Sequence, residues 1–273
     1  MTATTAFVTR ASLAADLAAL GLRPGDAVMV HAALSTVGRL LDGPDTVIAA
    51  LRDAVGGDGT VLAYADWEAR YEELLDETGR LPPDWRGHIP PFDPERSRAI
   101  RDNGVLPEFL RTTPGARRSG NPGASIVALG ARSAWFTAEH PLDYGYGENS
   151  PFARLVAAGG KVLMLGAPGD TMTLLHHAEH LADIPGKRIR RVEVPFATEA
   201  GTRWQTIEEF DTSDPVVAGL PDDYFATIVT GFLEGGHGRR GLVGAAPSIL
   251  VDAAAITAFA IAWLEARMGS PEP

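Results

Sequence analysis

Short apolar runs constrain this chain most. Ala27-Val-Met-Val-His31, Thr60-Val-Leu-Ala-Tyr64, Ser125-Ile-Val-Ala-Leu-Gly130 and Lys161-Val-Leu-Met-Leu-Gly166 are continuous rather than alternating. Such strands are buried on both faces, as in a sheet covered by helices on each side. The segments between them supply those helices. Arg10 to Leu20 has apolar residues at helical spacing and ends at Gly21, and Asp45 to Val55 ends at Gly56-Gly-Asp-Gly59. Glycine just past a helical run is the usual C-cap. A strand, a helix and a second strand in that order form a βαβ unit with parallel strands. Pro107 to Thr112 and Tyr224 to Leu233 read as further helices. Ser150-Pro151 opens another helix as N-cap and N1, and Val251 to Met268 reads as a long terminal one. Arg117-Arg118 reads as loop.

Two stretches break the rhythm. Arg190 to Phe210 alternates apolar and polar around Ala200-Gly201, which predicts an antiparallel hairpin. Residues 66 to about 101 form an insertion rich in Asp, Glu, Pro and aromatic side chains, and its aromatics argue for order. The expected fold is therefore three-layer α/β/α. It has a mixed central sheet, an antiparallel hairpin and the acidic insertion, within one domain over residues 1–273.

Composition narrows the function. With no cysteine the chain has no disulfide, thiolate metal site or cysteine nucleophile. Any acyl transfer proceeds directly or through an oxygen or nitrogen nucleophile. A net charge of −11 argues against nucleic acid as partner. No apolar run suits a membrane span or a signal peptide, so the expected location is cytoplasmic. The acidic residues cluster beside aromatics: Asp66 and Glu68 flank Trp67, and Glu208, Glu209 and Asp211 surround Phe210. Carboxylates mixed with aromatic rings suit a cationic ligand with apolar faces. A solvated acidic edge is the competing reading.

The stretch Thr171 to His180 follows the fourth apolar run through the turn Ala167-Pro-Gly-Asp170. On a helix, His176, Glu179 and His180 share one face at i, i+3 and i+4, and His177 turns away. A base and a carboxylate above a sheet suit proton transfer. The same letters match the His-x-x-Glu-His string of certain zinc peptidases, so a zinc-dependent hydrolase is the alternative, although no third ligand is identifiable. A helix face that merely hydrogen-bonds, or a non-catalytic binder of cations, are the blander readings. His31 closes the first strand, and a helix starting near Ala32 would direct free N–H groups at a carbonyl or phosphate. No phosphate-binding glycine motif follows it.

Together these stretches resemble the aminoglycoside 3-N-acetyltransferases of the non-GNAT antibiotic acetyltransferase family. The matching residues are Arg23-Pro-Gly-Asp26 with Met29-Val-His-Ala32, Gly56-Gly-Asp-Gly-Thr-Val61, Tyr64-Ala-Asp-Trp67, Arg117-Arg-Ser119 with Pro122, Ser150-Pro151, Lys161 to Ala167, Leu175-His176 with Ala178-Glu179, Ile184-Pro185 with Lys187-Arg188, and Gly241 to Ser248. They run in order over almost the whole chain. The resemblance implies acetyl-coenzyme A as donor, no metal, and the 3-amine of a 2-deoxystreptamine ring as acceptor, with antibiotic resistance as the result. It implies a monomer or homodimer.

It places the catalytic histidine on His176 and its carboxylate on Glu179, with His177 and His180 left to packing or surface. Cofactor residues fall on His31, Ala32, Ala33, Leu34, Ser35, Thr36, Val37, Gly38, Arg118, Ser119, Ser125 and Ile126. Acceptor residues fall on Tyr64, Asp66, Trp67, Glu68, Asp93, Glu208, Glu209 and Asp211. The chain departs from the family pattern at Asn121, where relatives often carry His, and at Ala33, where many carry Ser. An Asn donates hydrogen bonds but is no base near neutral pH.

Overall fold

A computed structural model describes residues 7–212 and 215–269. Helix α1 (Arg10–Leu20) starts at Thr9, whose side chain and that of Ser12 cap each other's backbone N–H, and it stops at Gly21. Strand β1 (Ala27–Ala32), helix α2 (Pro44–Val55) and strand β2 (Thr60–Tyr64) follow. Past the insertion come α3 (Leu106–Thr112), β3 (Arg117–Arg118), β4 (Ile126–Gly130), α4 (Ser133–Thr137), α5 (Pro151–Ala157), β5 (Lys161–Leu165) and α6 (Leu174–Leu181). The chain then forms β6 (Ile189–Thr198), β7 (Gly201–Phe210), α7 (Tyr224–Glu234), β8 (Arg239–Val243), β9 (Ala246–Asp252) and α8 (Ala253–Met268).

The apolar runs make the centre of a seven-stranded mixed sheet in the order β3-β4-β2-β1-β5-β9-β8. Strand β1 pairs in parallel with both β2 and β5, and the outer pairs are antiparallel. Each face carries its own core. Leu13 and Leu17 of α1, Val47 and Leu51 of α2 and Leu106 and Leu110 of α3 cover one face. Phe152 and Leu155 of α5, Leu174 and Ala178 of α6, Ile228 of α7 and Ile256 of α8 cover the other. Parallel β1, β2 and β5 thus end side by side, and the loops leaving them form one rim, where α/β proteins place ligands.

Several expectations about the elements need correction. Arg117-Arg118 is not loop but pairs with Ala128 and Val127 of β4. Val251 and Asp252 belong to β9, and the terminal helix begins at Ala253, capped by the Asp252 side chain. Strand and helix share one apolar run here, so no change of period marks the border. The edge strand β8 is largely exposed and polar, so it lacks the apolar signature that reveals the central strands. The five-residue α4 also went unread.

The hairpin of β6 and β7 is a separate two-stranded sheet, as its alternation predicts. The insertion packs onto it around a third core in which Trp67, Tyr71, Leu81 and Phe92 meet Val192, Val194, Phe196 and Ile207. Polar contacts fix the join. The Arg86 guanidinium bonds both Glu193 carboxylate oxygens at 2.6 and 2.7 Å, and the Leu81 N–H donates to the same carboxylate. The Glu193 N–H donates to the Gly79 carbonyl at 2.8 Å.

Gly79 has φ +74°, and a Cβ there would lie 1.7 Å from the Arg191 carbonyl oxygen. No side chain end yields in that contact, only backbone. Gly79→Ala is therefore expected to cost ~2–4 kcal/mol through left-handed strain and displaced backbone. A lowered urea midpoint, with early proteolysis between residues 66 and 101, is the readout. An unchanged midpoint would refute this account of the join.

Candidate active site

Strand β5 exits at Gly166, where φ is +63° and a Cβ would lie 1.9 Å from Thr36 Oγ1. Glycine lets the segment leading to α6 lie against the loop that follows β1. That loop holds a short 3₁₀ turn, Leu34–Thr36, pinned by Ala33 N–H donating to the Leu165 carbonyl. The stretch His31 to Gly38 is thereby set on the rim beside α6. Ser35, Thr36 and Gly38 are exposed, His31 to Leu34 are half-buried, and Val37 is the buried anchor.

Helix α6 presents His176 and Glu179 together. His176 Nδ1 donates to Glu179 Oε2 at 2.6 Å, and the Glu179 side chain is wholly buried. The other oxygen, Oε1, accepts a hydrogen bond from the Tyr224 hydroxyl at the start of α7. Burial and then the Glu179 charge push the Tyr224 phenol far up, so it stays a donor. Both carboxylate oxygens are engaged, which a buried carboxylate requires. With Nδ1 donating, the His176 lone pair lies on Nε2, and that atom bonds none of the described residues. His176 borders an open cavity of about 460 Å³ with Asp170, Thr212, Asp222, Tyr224 and Phe225. Its ring sits 5.0 Å from Tyr146 and 4.8 Å from Phe225, centroid to centroid.

A second cavity, of about 230 Å³, lies between β2, the insertion and the hairpin. Asp66, Glu72 and Glu209 supply its carboxylates, and Tyr64, Trp67, Tyr71, Tyr146 and Phe210 its rings. Thr212 borders both cavities. Burial raises the Asp66 carboxyl to about 7, against the hydrogen bond from Asn103 and the charge of Arg118. Glu209 accepts the N–H of Gly145 at 2.6 Å and of Phe210 at 2.8 Å. Its Oε1 also meets His180 Nε2 at 2.6 Å, while His180 Nδ1 donates to the His176 carbonyl at 2.8 Å. Both His180 nitrogens face oxygen atoms. His180 is thus more than packing, because it ties the catalytic helix to the cavity wall. His177 is a packing residue, buried with Nδ1 donating to the Tyr146 carbonyl at 2.7 Å.

The string His176-x-x-Glu179-His180 therefore does not present its two histidines as a ligand pair, because His180 is held by Glu209 and by the His176 carbonyl. Among the described residues no group of three or more His, Asp or Glu side chains is arranged to hold a metal ion.

Of the eight expected acceptor residues, Tyr64, Asp66, Trp67 and Glu209 come together in the second cavity. The other four do not line it. Glu68 turns away to Arg70 at 3.0 Å and to the Arg101 N–H at 3.1 Å. Asp93 caps the N–H of Glu95 in its own turn. Glu208 holds Arg191 at 2.5 Å and accepts from the Tyr144 hydroxyl. Asp211 borders a separate surface groove with Asp76 and Arg190.

The cofactor expectation divides likewise. Arg118 lies inward, bonding Ser125 Oγ, the Ser97 carbonyl and the Ala65 carbonyl. Ser119 is buried between the Ile126 N–H and His140 Nδ1, and Ser125 donates to Ala65. Ile126 is fully buried. These four build the wall behind the site rather than its surface. Burial depresses His140 to about 4, so it accepts the Ser119 hydroxyl as a neutral ring and donates to the Gly145 carbonyl.

Asn121 has the same structural character. Its Nδ2 donates to the Pro141 and Leu142 carbonyls and its Oδ1 accepts from Gly123 and Ala124. Its amide has no group left for proton transfer. Burial, then the nearby His176, lowers His31 to about 4, and its Nε2 is buried without a partner.

Sequence reasoning missed Glu72, Tyr71, Tyr146, Phe210 and Tyr224 as site residues. Glu72 lies within the acidic insertion that composition marks, but nothing local marks Tyr224, which is 45 positions from Glu179.

A family model described as aminoglycoside 3-N-acetyltransferase matches residues 29–265. The aminoglycoside N(3)-acetyltransferase III of Pseudomonas aeruginosa is 46% identical over 262 residues, covering 96% of this chain and 95% of that protein. The aminoglycoside N(3)-acetyltransferase VIII of Streptomyces fradiae is 46% identical over 270 residues, covering 96% and 93%. Among solved structures, AAC-IIIb in a binary complex with CoASH is 78% identical. It superposes with a TM-score of 0.97 and covers 98% of this chain and 100% of that one. AAC-VIa bound to sisomicin is 39% identical, with a TM-score of 0.91 and coverage of 97% and 100%.

Proposed function

The chain belongs to the aminoglycoside 3-N-acetyltransferase family, and on that premise we propose that it moves the acetyl group of acetyl-coenzyme A directly to the 3-amine of a 2-deoxystreptamine ring, with His176 as general base. The observation that carries this reading is the chain of contacts from the Tyr224 hydroxyl through Glu179 to His176 Nδ1. It leaves one basic lone pair, on Nε2, beside the cavities at the strand ends.

An amine must be neutral to attack a thioester, and imidazole is the side chain best matched to that proton near pH 7. As the N–C bond forms at the acetyl carbonyl, Nε2 takes the amine proton. The carbonyl oxygen becomes an oxyanion, for which N–H groups of the loop after β1 that are not already bonded would be the donors. When the intermediate collapses, the C–S bond breaks and the imidazolium returns its proton to the departing sulfur. The products are the amide and coenzyme A, and the base is regenerated. No cysteine exists to carry an acyl intermediate, and in direct transfer both substrates are bound together.

Glu179 orients His176 and balances the charge it gains. The second cavity holds the acceptor. Asp66, Glu72 and Glu209 pair with its ammonium groups, and Trp67, Tyr71 and Phe210 take the apolar faces of its rings. His31, with its orphaned Nε2, faces the acetyl donor with the residues up to Gly38.

Thiol release from acetyl-coenzyme A in the presence of 4,5- and 4,6-disubstituted aminoglycosides tests the proposal. The chain has no thiol of its own to react with the reagent. Release dependent on the aminoglycoside, with the product acetylated at the 3-amine, is expected. Absence of release across both classes, or release that persists without an acceptor, would remove the assignment.

A further inference from the structure

Strand β6 puts a guanidinium where a cavity for a polycation needs carboxylates. Side chains alternate along a strand, so Arg190, Val192 and Val194 share one face, and all three line the proposed acceptor cavity. Arg191 and Glu193 face the other way, toward Glu208 and Arg86. Arg190 is the cross-strand partner of Glu209. Its guanidinium nevertheless bonds Glu72, in the short 3₁₀ turn Arg70–Leu74 of the insertion. From this we infer that Arg190 is a specificity-determining residue: it holds Glu72 until an acceptor whose ammonium group reaches that carboxylate displaces it. The inference rests on the acceptor cavity assigned above.

Of the three carboxylates in the cavity, Glu72 is the one that can be handed over whole. Glu209 is held by His180 and by the N–H groups of Gly145 and Phe210. Asp66 accepts a hydrogen bond from Asn103. Both keep part of their bonding for the fold. Among the described residues the Glu72 carboxylate is bonded by Arg190 alone, and only through Oε2. That pair is open to water, with 42% of the Arg190 side chain and 34% of the Glu72 side chain exposed, so it contributes little. An ammonium group brought in by a bound ligand, whose rings exclude water, gains more from the same carboxylate.

Size argues for the same step. At about 230 Å³ the cavity is smaller than the ~300–1,000 Å³ usual for a drug-sized ligand. Glu72 and Arg190 also border the surface groove of about 680 Å³ that runs past Asp76 and Glu77. The ion pair is thus the partition between the two spaces. When it parts, Arg190 swings outward toward the carboxylates of the groove, Glu72 turns to the ligand, and the cavity gains room from the groove. A ligand without an ammonium group at that point leaves the pair closed and is denied the added space.

A double-mutant cycle read by calorimetry, with sisomicin and neomycin B as ligands, tests the competition. Arg190→Gln should tighten binding of at least one of them about two- to fivefold, the scale of an exposed ion pair. Damage to the cavity would act in the opposite direction. Arg190→Lys, which keeps a cation, should restore the wild-type affinity. Glu72→Gln should weaken binding about tenfold. In the Glu72→Gln background, adding Arg190→Gln should change affinity by less than about 1.5-fold, because no pair is left to break. Arg240→Gln, on the edge strand β8, controls for net charge and should change nothing. Tightening of neither ligand by Arg190→Gln, or equal tightening with and without Glu72, would overturn the proposal, as would unchanged affinity in Glu72→Gln. Wild-type protein that binds neither aminoglycoside would remove the acceptor cavity itself, and this inference with it.

Discussion

Replacing His176 by alanine is expected to lower kcat by about 10²–10⁴, the range over which positioned general bases act. Affinity for the aminoglycoside should stay within about threefold, because Asp66, Glu72 and Glu209 lie in the other cavity and are not altered by the substitution. The two readouts separate chemistry from binding: stopped or steady-state thiol release reports the first, and calorimetry the second. The alanine also leaves Glu179 with one oxygen unpaired in a buried position, so some loss of stability accompanies the kinetic effect. A folded variant, checked by its thermal transition, that turns over near the wild-type rate would eliminate His176 as the base. A folded variant with normal kcat and a much raised acceptor KM would instead place His176 among the binding groups.

Glu179→Gln tests a different property with the same shape. The carboxylate accepts from both His176 Nδ1 and the Tyr224 hydroxyl, and so it fixes a hydrogen on Nδ1. An amide can direct only one oxygen, and its NH₂ donates. If the oxygen stays with Tyr224, the NH₂ faces Nδ1, the imidazole hydrogen moves to Nε2, and the lone pair needed for the amine is lost. If the oxygen turns to His176, the Tyr224 hydroxyl faces a donor. The corresponding substitution in serine proteases lowers kcat by about 10⁴ through such a tautomer change. A loss of about 10²–10⁴ is expected here, with acceptor binding preserved. Tyr224→Phe removes one donor and leaves the carboxylate, so its loss should be much smaller, about tenfold. Glu179→Gln turnover within about threefold of wild type would mean that the carboxylate does not set the tautomer.

The parts of this molecule that were legible in the sequence are those whose burial is two-sided or periodic. Strands β1, β2, β4 and β5 show as apolar runs, the hairpin as alternation, and α6 as a histidine and a glutamate three positions apart. The misread parts follow from the same physics. Glu208 and Glu209 are adjacent on a strand, so they point to opposite faces, and only one can meet the cavity. Glu208 pairs across the strand with Arg191, and Glu209 turns to His180. Acidic clustering alone could not separate them, although the two-residue period could.

Arg118 and Ser125 entered the cofactor set through the family resemblance, which does not say what they bond. Their partners are backbone carbonyls of Ala65 and Ser97, more than 20 positions away. The contact of Tyr224 with Glu179 depends on packing between distant segments, for which a single sequence holds no periodic signal.

The insertion and the hairpin share a small core of their own, distinct from the two that clamp the central sheet. The acceptor cavity takes Trp67, Tyr71, Val192, Val194 and Ile207 from that core, while His176, Glu179 and Tyr224 are anchored on the sheet's helices. Substitutions at Trp67, Tyr71, Val192, Val194 or Ile207 therefore reshape the proposed acceptor cavity while leaving the bonds of His176 with Glu179 in place, whereas a change at Glu209 reaches the catalytic helix through His180.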